Sequence, residues 1–127
     1  MVRAMIFSMA DHVEQIKSGT KTQTRRRSNY YLVGKSYSVQ PGRRKAGILE
    51  GRIRIIKKIV ETRVFDHISP EDAQAEGGYT PMDFENLYAR MYPDWQERYA
   101  YKFRFEPRKK MKIMKMRSDP GKPRKGG

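Results

Sequence analysis

A chain of 127 residues, 37% of them hydrophobic, is one domain's worth of sequence and can bury a modest core. It contains no cysteine, which removes disulfides, thiolate metal sites and a cysteine nucleophile together, and no apolar run approaches the roughly 18 residues needed to span a bilayer. Lys and Arg outnumber Asp and Glu by 28 to 14, so a polyanion rather than a membrane is the expected partner, and a soluble, cytoplasmic protein the expected class.

Residues 4–8 read as a short first strand. Asp11 stands where a helix N-cap would, with Glu14 placed to close a capping box. Val13 and Ile16 supply that helix's buried stripe, and Gly19 a natural stop. Ser36 to Gln40 alternates with Tyr37 and Val39 on one face, which predicts a strand ending at Pro41-Gly42. Gly51 to Val60 starts in the same way, with Ile53 and Ile55 inward. The phase then slips at Ile56, which predicts a bulge.

Ser69-Pro70-Glu71-Asp72 and Thr80-Pro81-Met82-Asp83 are two helix starts, each an N-cap followed by proline and acid. The first helix stops at Gly77-Gly78. The second carries Phe84, Leu87, Tyr88 and Met91 as one apolar stripe and ends before Pro93. Tyr99, Tyr101, Phe103 and Phe105 alternate with polar residues in the clearest strand of the chain, aromatic face inward. After Glu106 the aromatics stop. Residues 1–106 are therefore read as the domain and 107–127 as a basic C-terminal extension. Within it, residues 109–117 suit either an edge strand or an arm, and residues 118–127 suit disorder. Strands interleaved with short helices, without a repeated βαβ unit, make the fold class α+β around a small sheet or barrel.

Charge is segregated along the chain. Residues 20–63 hold thirteen basic side chains against Glu50 and Glu61, whereas residues 64–106 hold four basic and nine acidic. Residues 107–127 return to nine basic against Asp119. Such a pattern points to one face that gathers a polyanion and another that does not.

The segment Gly19-Thr20-Lys21-Thr22-Gln23-Thr24-Arg25-Arg26 collects cations and hydroxyls that can hold a phosphate or an acyl oxygen. As a bare pattern it is equally a solvated loop. Following the opening helix, it resembles the signature of the ASCH family, within the PUA-like superfamily. Tyr31-Leu32-Val33-Gly34-Lys35-Ser36-Tyr37-Ser38-Val39 and Gly51-Arg52-Ile53-Arg54-Ile55 look like that family's next strands, and the two helices and aromatic strand follow in order. The resemblance covers about residues 3–106. It implies a small PUA-like β-barrel flanked by short helices, with a cleft lined by the Lys-Thr-Arg segment, and a role in binding or processing RNA. In one branch of small bacterial amidohydrolases, which deacetylate N4-acetylcytidine, the lysine, threonine and glutamate fall on Lys21, Thr24 and Glu76. Arg26 matches the family arginine. Glu76 is placed by an Ala-x-x-Glu spacing, with Glu71 and Asp72 as alternates if the register shifts.

Two functions follow. The first is a nucleic-acid-binding domain whose partner is RNA or another single-stranded nucleic acid. It would be held by Arg25, Arg26, Arg27, Lys35, Arg43, Arg44, Lys45, Arg52 and Arg54, with Tyr30, Tyr31 and Trp95 as candidates to stack on a base. The second is an amidohydrolase acting on a modified cytidine: Lys21 activates Thr24 for attack, Arg26 polarises the carbonyl, and a buried Glu76 protonates the leaving amine. RNA cleavage is a third reading, although the chain lacks the histidine pair or carboxylate cluster such chemistry commonly uses. His12 and His67 are isolated, so no metal site is expected, and nothing implies a cofactor.

Overall fold

Apolar alternation decides which strands occupy the middle of the sheet. In the computed structural model, which describes residues 4–9 and 11–108, the strands are β1 (Ala4–Ile6), β2 (Gln23–Arg26), β3 (Ser36–Gln40), β4 (Gly51–Thr62) and β5 (Glu97–Pro107). They form one sheet in the order β1-β3-β4-β5-β2. β1 runs parallel to β3, and the other pairs are antiparallel. The long strands β4 and β5 form the spine. Their inward residues Ile53, Ile55, Tyr101 and Phe103 pack with Met5, Phe7 and Val39 as the main core. The register shifts between Ile55 and Lys57, at the expected bulge.

Three helices, α1 (His12–Ser18), α2 (Pro70–Gly77) and α3 (Pro81–Met91), complete the α+β fold. Ser69 caps α2 by accepting from Asp72 N, Thr80 caps α3 by accepting from Asp83 N, and both helices carry proline in the first turn, as the sequence dictates. Asp11 departs from expectation. Its backbone is left-handed, at φ 77°, and its side chain caps nothing. Gly19, at φ 86°, closes α1 as its lack of a Cβ permits.

The sheet does not close into the expected barrel. Its edges β1 and β2 have only three and four residues, too few to build a ladder across the remaining gap. Side chains span the seam instead: Arg26 Nη2 donates to Ile6 O at 2.7 Å, and Tyr31 Oη donates to Ala4 O at 3.2 Å. The expectations for residues 109–127 lie outside the described residues. Among those described, no helix is long and apolar enough to cross a membrane.

A second cluster, Ile68, Ala73, Phe84, Tyr88 and Trp95, lies under α2 and α3. A buried ionic network joins it to the sheet. Arg98, with 0% of its surface exposed, donates to Glu61 Oε1 at 2.8 Å and to both Glu85 oxygens at 2.8 Å. Its guanidinium lies 4.3 Å from the Trp95 ring centre and 4.9 Å from that of Tyr88. Arg25 completes the chain by a two-pronged bond to Glu61, at 2.9 and 2.8 Å. Burial works against the ionised form of Glu61 and Glu85, but the arginine bonds prevail and hold both below the usual carboxylate range. Removing one partner leaves a buried charge uncompensated. Arg98→Ala should therefore lower the unfolding free energy by about 3–5 kcal/mol, read from urea denaturation at pH 7.

Candidate functional site

The Lys-Thr-Arg segment is not a loop. Gln23 to Arg26 form β2, paired antiparallel to β5, so neighbouring side chains leave the sheet on opposite faces. Gln23 and Arg25 share a face with their cross-strand partners Lys102 and Ala100, beneath α2. Thr24 and Arg26 share the other with Tyr101 and Tyr99. Arg25 and Arg26 are adjacent in sequence and have different surroundings.

Arg25 is buried and saturated. Besides Glu61 it donates to Glu76 Oε2 at 2.8 Å, to Asp72 Oδ2 at 3.2 Å and to Gln23 Oε1 at 3.2 Å. Desolvation would lower its pKa, but the Glu61 bonds and the charge of Glu76 outweigh it and raise it. Among the cations assigned to nucleic acid from sequence, Arg25 is thus inside the fold, with no donor turned to solvent. Tyr31 and Trp95 are also buried, in the two cores, and offer no face to a base. Tyr30 is 46% exposed.

Lys21, Thr24, Arg26 and Glu76 come together at the open seam, in a cleft with about 140 Å³ of free volume. Phe7, His12, Tyr79, Phe84 and Tyr88 are among its other walls. Lys21 is 2% exposed. Its ammonium donates to Gln23 O at 2.9 Å and to Glu76 O, and faces Glu76 Oε1 at 3.8 Å. Burial, with Arg26 and Arg25 adding repulsion against the pull of Glu76, brings its pKa down to about 8. Thr24 Oγ1 accepts from Arg26 Nε at 3.1 Å. Lys21 and Thr24 share the cleft without a direct hydrogen bond; catalytic hydrogen bonds commonly tighten only around a substrate. Of the alternates to Glu76, Asp72 is bonded to Gln23 and Arg25, and Glu71 is exposed on α2.

His12, set aside from the sequence as an isolated histidine, stands at this cleft with Nε2 3.1 Å from Tyr79 Oη. Burial and the nearby Lys21 and Arg26 lower its pKa to about 4, so it is neutral at pH 7. No group of three His, Asp or Glu side chains among the described residues is arranged to hold a metal ion.

The remaining predicted cations lie elsewhere. Arg27 is exposed, its guanidinium 5.0 Å from the Tyr92 ring centre. Lys35 and the turn residues Arg43, Arg44 and Lys45 are exposed. Arg52 and Arg54 stand on the outer face of the sheet, where Arg104 and Arg108 join them along a groove of about 870 Å³. Arg54 donates to Glu106 at 2.8 Å and to Gly34 O at 2.6 Å. Arg108 opens the basic extension expected from the sequence, and Arg104 is a further cation, legible as an outward position of β5.

No protein-family model matches the sequence, and no curated protein matches it. Solved structures do. A DUF984 protein from Enterococcus faecalis V583 superposes with a TM-score of 0.59 at 19% identity, over 84% of this chain and 73% of that one. A point mutant of ZmASCH from Zymomonas mobilis superposes with a TM-score of 0.54 at 14% identity, over 92% of this chain and 84% of that one. The chain has an ASCH-like fold. At such identities the likeness is one of fold.

Lys21 has a folded-state pKa of about 8 against an ordinary 10.5. Between these values the unfolded chain binds more protons, so stability rises with pH there, by at most about 1.4 kcal/mol per unit. Below pH 8 both states are protonated and the slope vanishes. Urea denaturation at pH 7, 8, 9 and 10 should therefore show wild type gaining on Lys21→Met as pH increases.

Proposed function

We propose that the chain is an amidohydrolase that deacylates an N4-acylated cytidine in the seam cleft. The observation that carries this reading is Lys21: a buried lysine with its pKa brought to about 8 sits in one cleft with Thr24 and Arg26. A clamp for a phosphate chain needs an exposed, fully charged cation. A base that takes up a hydroxyl proton near neutral pH needs what burial provides here.

The steps follow from the residues. Thr24 Oγ1 attacks the acyl carbon as its proton passes to neutral Lys21, and the Arg26 guanidinium, 3.1 Å from that hydroxyl through Nε, is the cation beside the reacting centre that would disperse the negative charge developing on the acyl oxygen. The tetrahedral intermediate collapses with the C–N bond breaking, and the proton on Lys21 goes to the departing N4 amine. Water then hydrolyses the Thr24 ester by the same proton path, releasing the carboxylic acid. Glu76 is better suited to positioning Lys21 than to protonating the leaving group. Its Oε2 is held by Arg25, and its backbone carbonyl accepts from Lys21.

Incubation of the full chain with N4-acetylcytidine, followed by loss of the acetylated chromophore, tests this reading. Lys21→Ala and Thr24→Ala should each lower kcat/KM by about 10²–10⁴-fold. Absence of turnover by the wild-type chain would overturn it.

The outer groove favours a second activity, retention of single-stranded nucleic acid. Four arginines, Arg52, Arg54, Arg104 and Arg108, line it, with Glu106 as its acidic residue. If they contact phosphates, the slope of log K against log salt should flatten by about 0.7 per arginine removed. Titration of Arg52→Ala and Arg104→Ala variants with RNA at several salt concentrations measures this, and an unchanged slope removes the groove from consideration.

A further inference from the structure

Arg25 and Arg98 are each matched by carboxylates, Arg25 by Glu61, Asp72 and Glu76, and Arg98 by Glu61 and Glu85. Arg26 is not. It lines the seam cleft half-buried, with its guanidinium 4.8 Å from the Phe7 ring centre. Its Nε donates to Thr24 Oγ1 and its Nη2 to Ile6 O, both uncharged acceptors. Among the described residues it forms no ion pair, and Nη1 engages no group. Glu76 is the carboxylate of the cleft walls, and it is already occupied: Oε2 by Arg25 at 2.8 Å, Oε1 facing Lys21 at 3.8 Å. A charge withdrawn from water is ordinarily paired, and here the fold supplies a cation without its anion. Nη1 and the remaining N–H of Nη2 lie in one plane, the fork that suits the two oxygens of a carboxylate.

The proposed reaction delivers such a group at this point. When water attacks the Thr24 ester, the new C–O bond forms as the bond to Thr24 Oγ1 breaks. Oγ1 recovers a proton, and the acid gives its own to the Lys21 amine. The products left in the cleft are a carboxylate, a lysine ammonium and Arg26. We propose that Arg26 makes the seam cleft a carboxylate site that retains the acid released by hydrolysis, so that product holds the place of the next acyl group and limits turnover. The product role rests on the hydrolase reading; the carboxylate site does not.

Retention should depend on pH. Glu76, Arg25, Arg26 and His12 surround Lys21, and Tyr31, Tyr92 and Tyr101 face Arg26. His12, at about 4, is already neutral at pH 7, so the titration that the anion meets between pH 7 and 9 is that of Lys21, at about 8. A bound carboxylate favours the ammonium, and by linkage the ammonium favours the carboxylate. Affinity should therefore be highest below pH 8 and fall above it, by at most about tenfold per unit.

The experiment titrates the full-length chain with sodium acetate, and separately with sodium chloride, at constant ionic strength and pH 7, 8 and 9, and follows it by 1H–15N NMR. Acetate should saturate with a Kd on the order of millimolar, with its largest shifts at Arg26 Nε–H and the Thr24 and Ile6 amides, and should bind more weakly at pH 9. Arg26→Gln should weaken acetate about 10- to 100-fold. The wild-type shifts localise the site even if that variant fails to fold. Shifts that chloride reproduces, that spread over Arg52, Arg104 and Arg108 with the cleft silent, or that do not saturate overturn the proposal, as does an affinity equal at pH 7 and 9. Turnover of N4-acetylcytidine that acetate does not inhibit overturns the product role and leaves the hydrolase reading standing. Saturation at Arg26 without turnover supports the carboxylate site and removes the hydrolase.

Discussion

The two-pronged bond from Arg25 to Glu61, extended through Arg98 to Glu85, is the constraint that sets the rest of the molecule. It ties β2, β4, β5 and α3 together at one buried point, and Arg25 adds α2 through Asp72 and Glu76. Replacing such a network by apolar residues of similar shape is often neutral in stability, so its value need not be measured in stability. Its geometry is more demanding than that of an apolar contact. Each guanidinium nitrogen of Arg98 has one assigned acceptor, and a slip of β5 against β4 by one residue would separate Glu61 from Arg98, which face each other in the ladder. Register in this half of the sheet is fixed by charge, where the main core fixes the other half by apolar packing.

That fixed register carries through to the cleft. Glu76 is held by Arg25, Lys21 is held by the backbone carbonyl of Glu76, and Thr24 is held by Arg26, which in turn bridges to β1. A reactive group placed at the end of such a chain is positioned by the fold as a whole rather than by a mobile loop. The open seam of the sheet is part of the same arrangement. Were β1 and β2 long enough to close the barrel, their ladder would occupy the space between Ile6 and Arg26 in which the cleft now opens.

Much of this was legible in the sequence. β3 matches its alternation from Ser36 to Gln40, the bulge after Ile55 matches the slip of phase, and both Ser-Pro and Thr-Pro starts open helices, because each signal is local. β2 was illegible for a physical reason. Its residues Gln23, Thr24, Arg25 and Arg26 are polar on both faces, so period-two alternation leaves no apolar trace, and only pairing with β5 makes it a strand. Tyr31 and Trp95 fell outside the apolar patterns and were read as surface, although tertiary packing buries both. The Lys21, Thr24, Glu76 grouping came from family resemblance; the chain brings them into one cleft. Arg98 could not be singled out, since it looks like any polar residue of a strand.

The strongest sequence signal, segregated charge, also changes meaning once the chain is folded. The basic stretch of residues 20–63 and the acidic stretch of 64–106 are not simply opposite faces, because buried Glu76 and half-buried Asp72 and Glu85 of the second are paired with Lys21, Arg25 and Arg98. Neutralising these acids internally leaves the exposed arginines of the turn and the outer groove less opposed than the local composition suggests. The buried cations no longer count toward a polyanion field, whereas Arg52 and Arg104 on the outer face of the sheet and Arg43, Arg44 and Lys45 at the β3–β4 turn still do. The same burial that withdraws Lys21 from long-range electrostatics lowers its pKa. One physical step, desolvation at the seam, therefore separates a cation suited to proton transfer from the cations suited to holding phosphate.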